Sequence, residues 1–228
     1  SIANNVRSLQ LQVKGWWDPT AAVTVLNSAP YLHTLSLGSM LYYRGVQTAC
    51  ALVALKDAPA LHTLHLNLIG VEVGDGGAQI LAALKESRSL QHLMLRLGEN
   101  RIGDTGAQAL AALKDTPSLE TLALNLSENQ VGDAGAQALA ALKDAPLLRV
   151  LHLQLGWNFV SQIGAQALAA LKDTARLHTL KIDVGWNQIG AEGSGPSSAE
   201  GRPFAAFNDP HSSEESRGGH PGARTCST

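Results

Sequence analysis

Cysteine is almost missing from this chain of 228 residues, with only Cys50 and Cys226, far apart in sequence. An intracellular, reducing compartment, taken as cytoplasmic, is the expectation. Excess charge of either sign is also missing: through Gly190 the chain has 14 Lys and Arg against 14 Asp and Glu. That balance leaves no basic footprint for nucleic acid and no polybasic patch for an anionic membrane. No apolar run is long enough to span a bilayer, and no basic-then-apolar leader opens the chain at Ser1. The motifs GxxxxGK[ST], HExxH and Cys-x-x-Cys do not occur, so neither a nucleotide, a metal nor another cofactor is expected. Aromatic residues make up only 4% of the chain, which makes their placement informative.

What the chain has in abundance is leucine at a fixed interval. Leu32, Leu61, Leu90, Leu119, Leu148 and Leu177 each open a 29-residue phrase, and a shorter first unit begins at Val6. A period of this length marks a solenoid, whose units cannot bury an apolar face alone. Counting from the first leucine, positions 4, 6 and 8 are apolar, as in Leu93, Leu95 and Leu97. Strict alternation is the strand period, so a short parallel strand is predicted from position 3 to about position 8. Position 11 is asparagine at Asn100, Asn129, Asn158 and Asn187. Turned inward there, it would bond backbone groups of neighbouring coils. A Gly-Asp-x-Gly turn follows, and Asp75, Asp104 and Asp133 are well placed to cap the helix behind them. That helix, Ala-Gln-Ala-Leu-Ala-Ala-Leu-Lys-Asp, carries a narrow stripe of Ala and Leu, and prolines such as Pro117 and Pro146 end it.

The phrase LxxLxLxLxxNxIGDxGAQALAALKDxP resembles a leucine-rich repeat of the ribonuclease-inhibitor-like class, and its Gly-Ala-x-Ala-Leu-Ala helix resembles the GALA subclass. The likeness covers roughly residues 6 to 193. One departure is an extra Leu-x pair between strand and asparagine, which implies a longer strand. The resemblance implies an α/β leucine-rich-repeat solenoid, curved, with parallel strands on the concave face and helices on the convex face. Seven strands and about six helices are expected, the first helix over Thr20 to Leu26. The array is assigned to 1–190, and a Gly/Ser/Pro-rich tail at 191–228 is expected to be disordered. In that tail Phe204 and Phe207 are the large apolar anchors. Neither end carries a recognisable polar cap, so end-to-end self-association is a further expectation.

Candidate binding residues fall into two groups. Trp157, Phe159 and Trp186 fall at positions 10 to 12, the turn leaving the strand, as do Trp16, Trp17, Tyr42 and Tyr43. Trp157 and Trp186 share position 10 in successive coils, so their rings are expected about 5 Å apart and exposed. Such residues are common binding anchors; for the tryptophan pair contact and plugging weigh evenly, whereas the four N-terminal aromatics read better as plugs. The second group lies on the concave strand face, at positions 3, 5 and 7: His65, Met94, Arg96, His152 and Lys181 are its candidates. His65 and His152 are three coils apart, about 14 Å, too far to share a metal. His33 and His62 are near neighbours without a third ligand, and read best as tolerated polar residues at a strand edge.

These features point to a non-catalytic module that binds a protein partner through the concave face and the aromatic turns. Two alternatives stand beside it. An enzyme regulator, inhibitor or GTPase-activating in type, is implied by the resemblance, with Arg44 and Arg101 in strand-to-helix loops. A fragment of a longer array without independent function is the other, since the chain opens on serine and its ends are bare.

Overall fold

The computed structural model describes residues 6–13, 23, 26, 29–39 and 45–190. The repeat array is one unit ending at Gly190. Trp16, Trp17, Tyr42, Tyr43, Arg44 and the whole segment 191–228 lie outside the described residues.

Alternating leucines make seven strands: β1 (Ser8–Val13), β2 (Thr34–Ser39), β3 (Thr63–Asn67), β4 (His92–Arg96), β5 (Thr121–Asn125), β6 (Val150–Gln154) and β7 (Thr179–Asp183). They form one parallel sheet in chain order. The register is uniform, each residue facing its counterpart one repeat later, as in Leu64, Leu93, Leu122, Leu151 and Leu180. In β3 to β7 the regular strand stops at position 7, whereas β1 and β2 reach position 8. In the coils of β3 to β6 the ladder does not stop there. The N–H groups of Leu68, Leu97, Leu126 and Leu155, at position 8, still donate to the next coil at 2.7–2.9 Å. The extra Leu-x pair therefore extends the hydrogen-bonded edge rather than the strand proper.

Behind the sheet come α1 (Gly45–Leu52), α2 (Gly74–Leu81), α3 (Asp104–Ala111), α4 (Asp133–Ala140) and α5 (Gln162–Ala169). The helix expected over Thr20 to Leu26 lies mostly outside the described residues, of which Val23 and Leu26 are helical. Each of the five tightens into a 3₁₀ turn, for example Ala112–Asp115 after α3. The Ala-Leu-Lys-Asp stretch thus leaves the α geometry that its propensity favours. Tighter i→i+3 bonds satisfy the closing carbonyls and bring the chain to an extended residue, such as Thr116 at ψ 117°.

Inward leucines make one continuous spine. In the coil opening at Leu90, Leu93, Leu95, Leu97, Ile102, Leu110 and Leu113 are buried completely or nearly so. Each such side chain contributes roughly 1.5–3 kcal/mol before conformational entropy is subtracted. Small alanines, Ala78, Ala107 and Ala136, are fully buried against Gly106, Gly135 and Gly164 of the next helix.

The aspartates of the Gly-Asp-x-Gly turn do not cap their own helices. Gly103 and Gly132, at the caps of α3 and α4, have no side chain to offer. Their amides are met by the coil before. Asp75 Oδ1 accepts from the N–H groups of Gly103 and Gly106 at 2.7 and 2.9 Å. Asp104 does the same for Gly132 and Gly135, and Asp133 for Ser161 and Gly164. The expected cap is thus a staple between coils. A carboxylate in the first turn complements its own helix dipole while its oxygen reaches sideways to the free amides of the next helix. Burial pushes the Asp133 carboxyl up, but the Ser161 hydroxyl and the backbone N–H groups of Ser161 and Gly164 outweigh it, and the carboxyl is held below its ordinary range.

Candidate functional site

The inward asparagine shapes the edge on which the aromatics stand. Asn129 Oδ1 accepts from the N–H groups of Asn100 and Ile102 in the preceding coil. Its Nδ2 donates to Leu97 of that coil and to Leu126 and Ser127 of its own. Asn100, Asn158 and Asn187 make matching bonds. To bring the asparagine inward, the residue before it takes a left-handed backbone. Glu99, Glu128, Trp157 and Trp186 hold φ values of 59°, 56°, 57° and 56°, and Gly70, at the same repeat position but before Val71, holds 68°. Glycine accepts that conformation freely; a bulky side chain does so at a cost of about 1–3 kcal/mol.

With the asparagine inside, position 10 points outward. Trp157 is 43% and Trp186 75% exposed, and their rings stack with centroids 4.7 Å apart and planes 10° from parallel. Spacing and exposure match what repeat position predicts. Phe159, two residues beyond Trp157, is also exposed, at 38%.

The same register places the sheet-face candidates. In the position-5 row His65 lies beside Met94, and His152 lies between Ala123 and Lys181. Arg96 stands in the position-7 row with Asn67 and Asn125. Met94, Arg96 and Lys181 are exposed, His65 and His152 half-buried. The Nε2 atom of His152 is buried without a hydrogen-bond partner among the described residues. His65 and His152 remain three strands apart.

The paired histidines at the strand edge stand apart from the tryptophans. His33 and His62 meet edge to face, centroids 5.2 Å apart. Among the described residues no group of three His, Cys, Asp or Glu is placed to hold a metal. A shallow hollow of about 420 Å³, lined by Lys56, Asp57, Glu86, Arg88 and Ser89 among others, lies at the 3₁₀ ends of two coils. It is spanned by the Lys56–Glu86 ion pair. Arg101, proposed for a GTPase-activating role, lies 3.5 Å from Glu72 in an ion pair on the turn before it. Among the described residues no helix is long and apolar enough to cross a membrane.

Reasoning from sequence missed two members of the aromatic edge. Glu99 and Glu128 stand in the same position-10 row as the tryptophans, exposed, with the same backbone sign. Repeat position alone marks them, since neither is aromatic.

Repeat, ladder and spine together define a leucine-rich-repeat solenoid fold. The family model described as "Leucine Rich repeat" matches residues 88–111, 121–140 and 176–193. No curated protein matches the sequence. Among solved structures, an internalin (inlF) from Listeria monocytogenes is similar at 17% identity and a TM-score of 0.37, covering 72% of this chain and 51% of its own. The structure of a TLR13–ssRNA13 complex is similar at 15% identity and a TM-score of 0.30, covering 82% of this chain and 33% of its own. The chain thus spans about half the length of the first and a third of the second.

Proposed function

We propose that this chain is a non-catalytic binding module of ribonuclease-inhibitor-like build, which captures a protein partner along the Trp157–Trp186 edge and the adjoining open sheet face. Leucine-rich repeats typically serve protein–protein interaction, and two features favour that role for these residues. The first is exposure: a stacked tryptophan pair leaves a large planar apolar surface in water, the kind of surface that anchors interfaces.

The second feature is the backbone beneath the rings, and it carries the reading. Gly70 fills position 10 at φ 68°, where glycine is at ease. Trp157 and Trp186 take the same conformation at φ 57° and 56°. Burial does not explain the choice, since Trp186 is three-quarters exposed. Mutual stacking returns only about 0.5–1.5 kcal/mol, less than the roughly 2–6 kcal/mol that two left-handed tryptophans cost at about 1–3 kcal/mol apiece. A partner that covers the rings supplies the missing benefit.

Trp157→Gly/Trp186→Gly provides the test. Relief of backbone strain offsets or exceeds the lost stacking, so the melting temperature is expected at or above that of wild type. Capture of the partner by the immobilised protein is expected to fail. A variant that melts normally and still retains every protein retained by wild type removes the edge from the reading.

A further inference from the structure

The aromatic edge is half of a longer row. Position 10 runs Glu99, Glu128, Trp157, Trp186, all four exposed and all four left-handed. Their backbones are tied coil to coil: the N–H of Glu99 donates to Ser127, that of Glu128 to Gly156 and that of Trp157 to Gly185, at 2.9–3.1 Å. Neighbouring members therefore sit at about the sheet spacing, roughly 4.8 Å, and the row spans about 14 Å. Neither Glu99 nor Glu128 has an ion-pair partner among the described residues. The nearby cation Arg101 is instead paired with Glu72.

We infer that this row is a docking ledge for an extended polypeptide segment bearing arginine or lysine. The inference rests on the partner-binding reading above and adds the partner's chemistry. Two carboxylates carried on backbones about 4.8 Å apart present acceptors that one guanidinium can bridge. Beyond them the stacked indoles offer the outer face of Trp186, and a cation over such a face is attracted by the ring quadrupole. An extended peptide rises about 3.3 Å per residue, so four or five residues cover the ledge. Charge chooses among occupants. A phosphate backbone or an anionic bilayer would face two uncompensated carboxylates, whereas a basic peptide neutralises them.

Fluorescence anisotropy with a labelled alternating glycine–arginine hexapeptide at low ionic strength is the test. The full chain is expected to bind it, and to ignore the glycine–glutamate counterpart and a labelled oligouridine. Glu99→Gln/Glu128→Gln should weaken binding about tenfold or more, and Trp186→Gly by a few fold. Asp144→Asn/Asp173→Asn, which removes two exposed charges from the 3₁₀ ends, should leave binding unchanged. Equal weakening in that control would mean diffuse attraction and overturns the ledge, as does equal affinity for the acidic peptide, preference for the oligouridine, or no binding. The two readings fail separately. If Trp157→Gly/Trp186→Gly loses a captured partner that Glu99→Gln/Glu128→Gln retains, the aromatic edge stands and the basic segment falls.

Discussion

At the scale of single residues, the second glycine of Gly-Asp-x-Gly carries a specific steric demand. A Cβ on Gly135 would lie 2.7 Å from Asp104 Oδ1, 2.8 Å from Val131 Cγ1 and 3.0 Å from Ala107 Cβ. The carboxylate stands there because it accepts the Gly135 N–H. Gly135→Ala should therefore cost about 1–3 kcal/mol despite alanine's better helix propensity, which urea unfolding at unchanged m-value will read. Gly76, with open space around its Cβ position, is the control: alanine there should be neutral or mildly stabilising. Asp133 makes a second prediction. Its carboxyl is depressed in the folded chain, so its contribution is fully present above the unfolded carboxylate range, near ~3.9. That contribution disappears as pH falls through the lower folded value. The fall in melting temperature on acidification below about pH 4 should be shallower in Asp133→Asn than in wild type. Parallel curves would show that the staple's charge does not matter.

Elements are held less by their own propensities than by what each receives from the next coil. An eight-residue helix is too short to stand by itself. Its free amides are served by the preceding aspartate, and its turn by the following asparagine. Asn129, only 4% exposed, binds five backbone groups in two coils. Replacing it by leucine keeps the bulk and strands buried donors and acceptors at about 1–3 kcal/mol apiece. Asn129→Leu is expected to lose several kcal/mol and to split unfolding into two steps, which calorimetry would resolve. A single transition with a loss below about 1 kcal/mol would sink the ladder as a stability element. Much of this was readable in advance: asparagine at a turn between apolar positions has few other reasons to be there. The aspartate was misread, because helix position locates a cap only within one helix. Which helix it serves depends on how closely two coils stack.

For the molecule as a whole, stability is a sum over coils and their contacts. Leu122, in the middle of the sheet, is completely buried; Leu180, in β7, is only partly so. Both occupy position 4 and belong to one leucine row. Truncation to alanine should cost about 2–5 kcal/mol at Leu122 and less at Leu180, which among the described residues has a strand on one side only. Equal losses by urea unfolding would mean that stability does not follow neighbour contacts. The position-10 ledge belongs to this scale too. Four side chains from four coils form one surface because the register never shifts.

The repeat by itself determined the strands, the inward leucines, the asparagine ladder and the outward tryptophans. Each follows from a period a single chain carries, 29 along the array and 2 along the strand. Tertiary structure decided what depends on distances between coils: aspartates that staple the next helix, helices that tighten into 3₁₀ turns, and indoles stacked on a left-handed backbone beside two unpaired glutamates. Periodicity tells which residues share a row. Only the stacking distance and the backbone angles tell what the members of a row can do to one another.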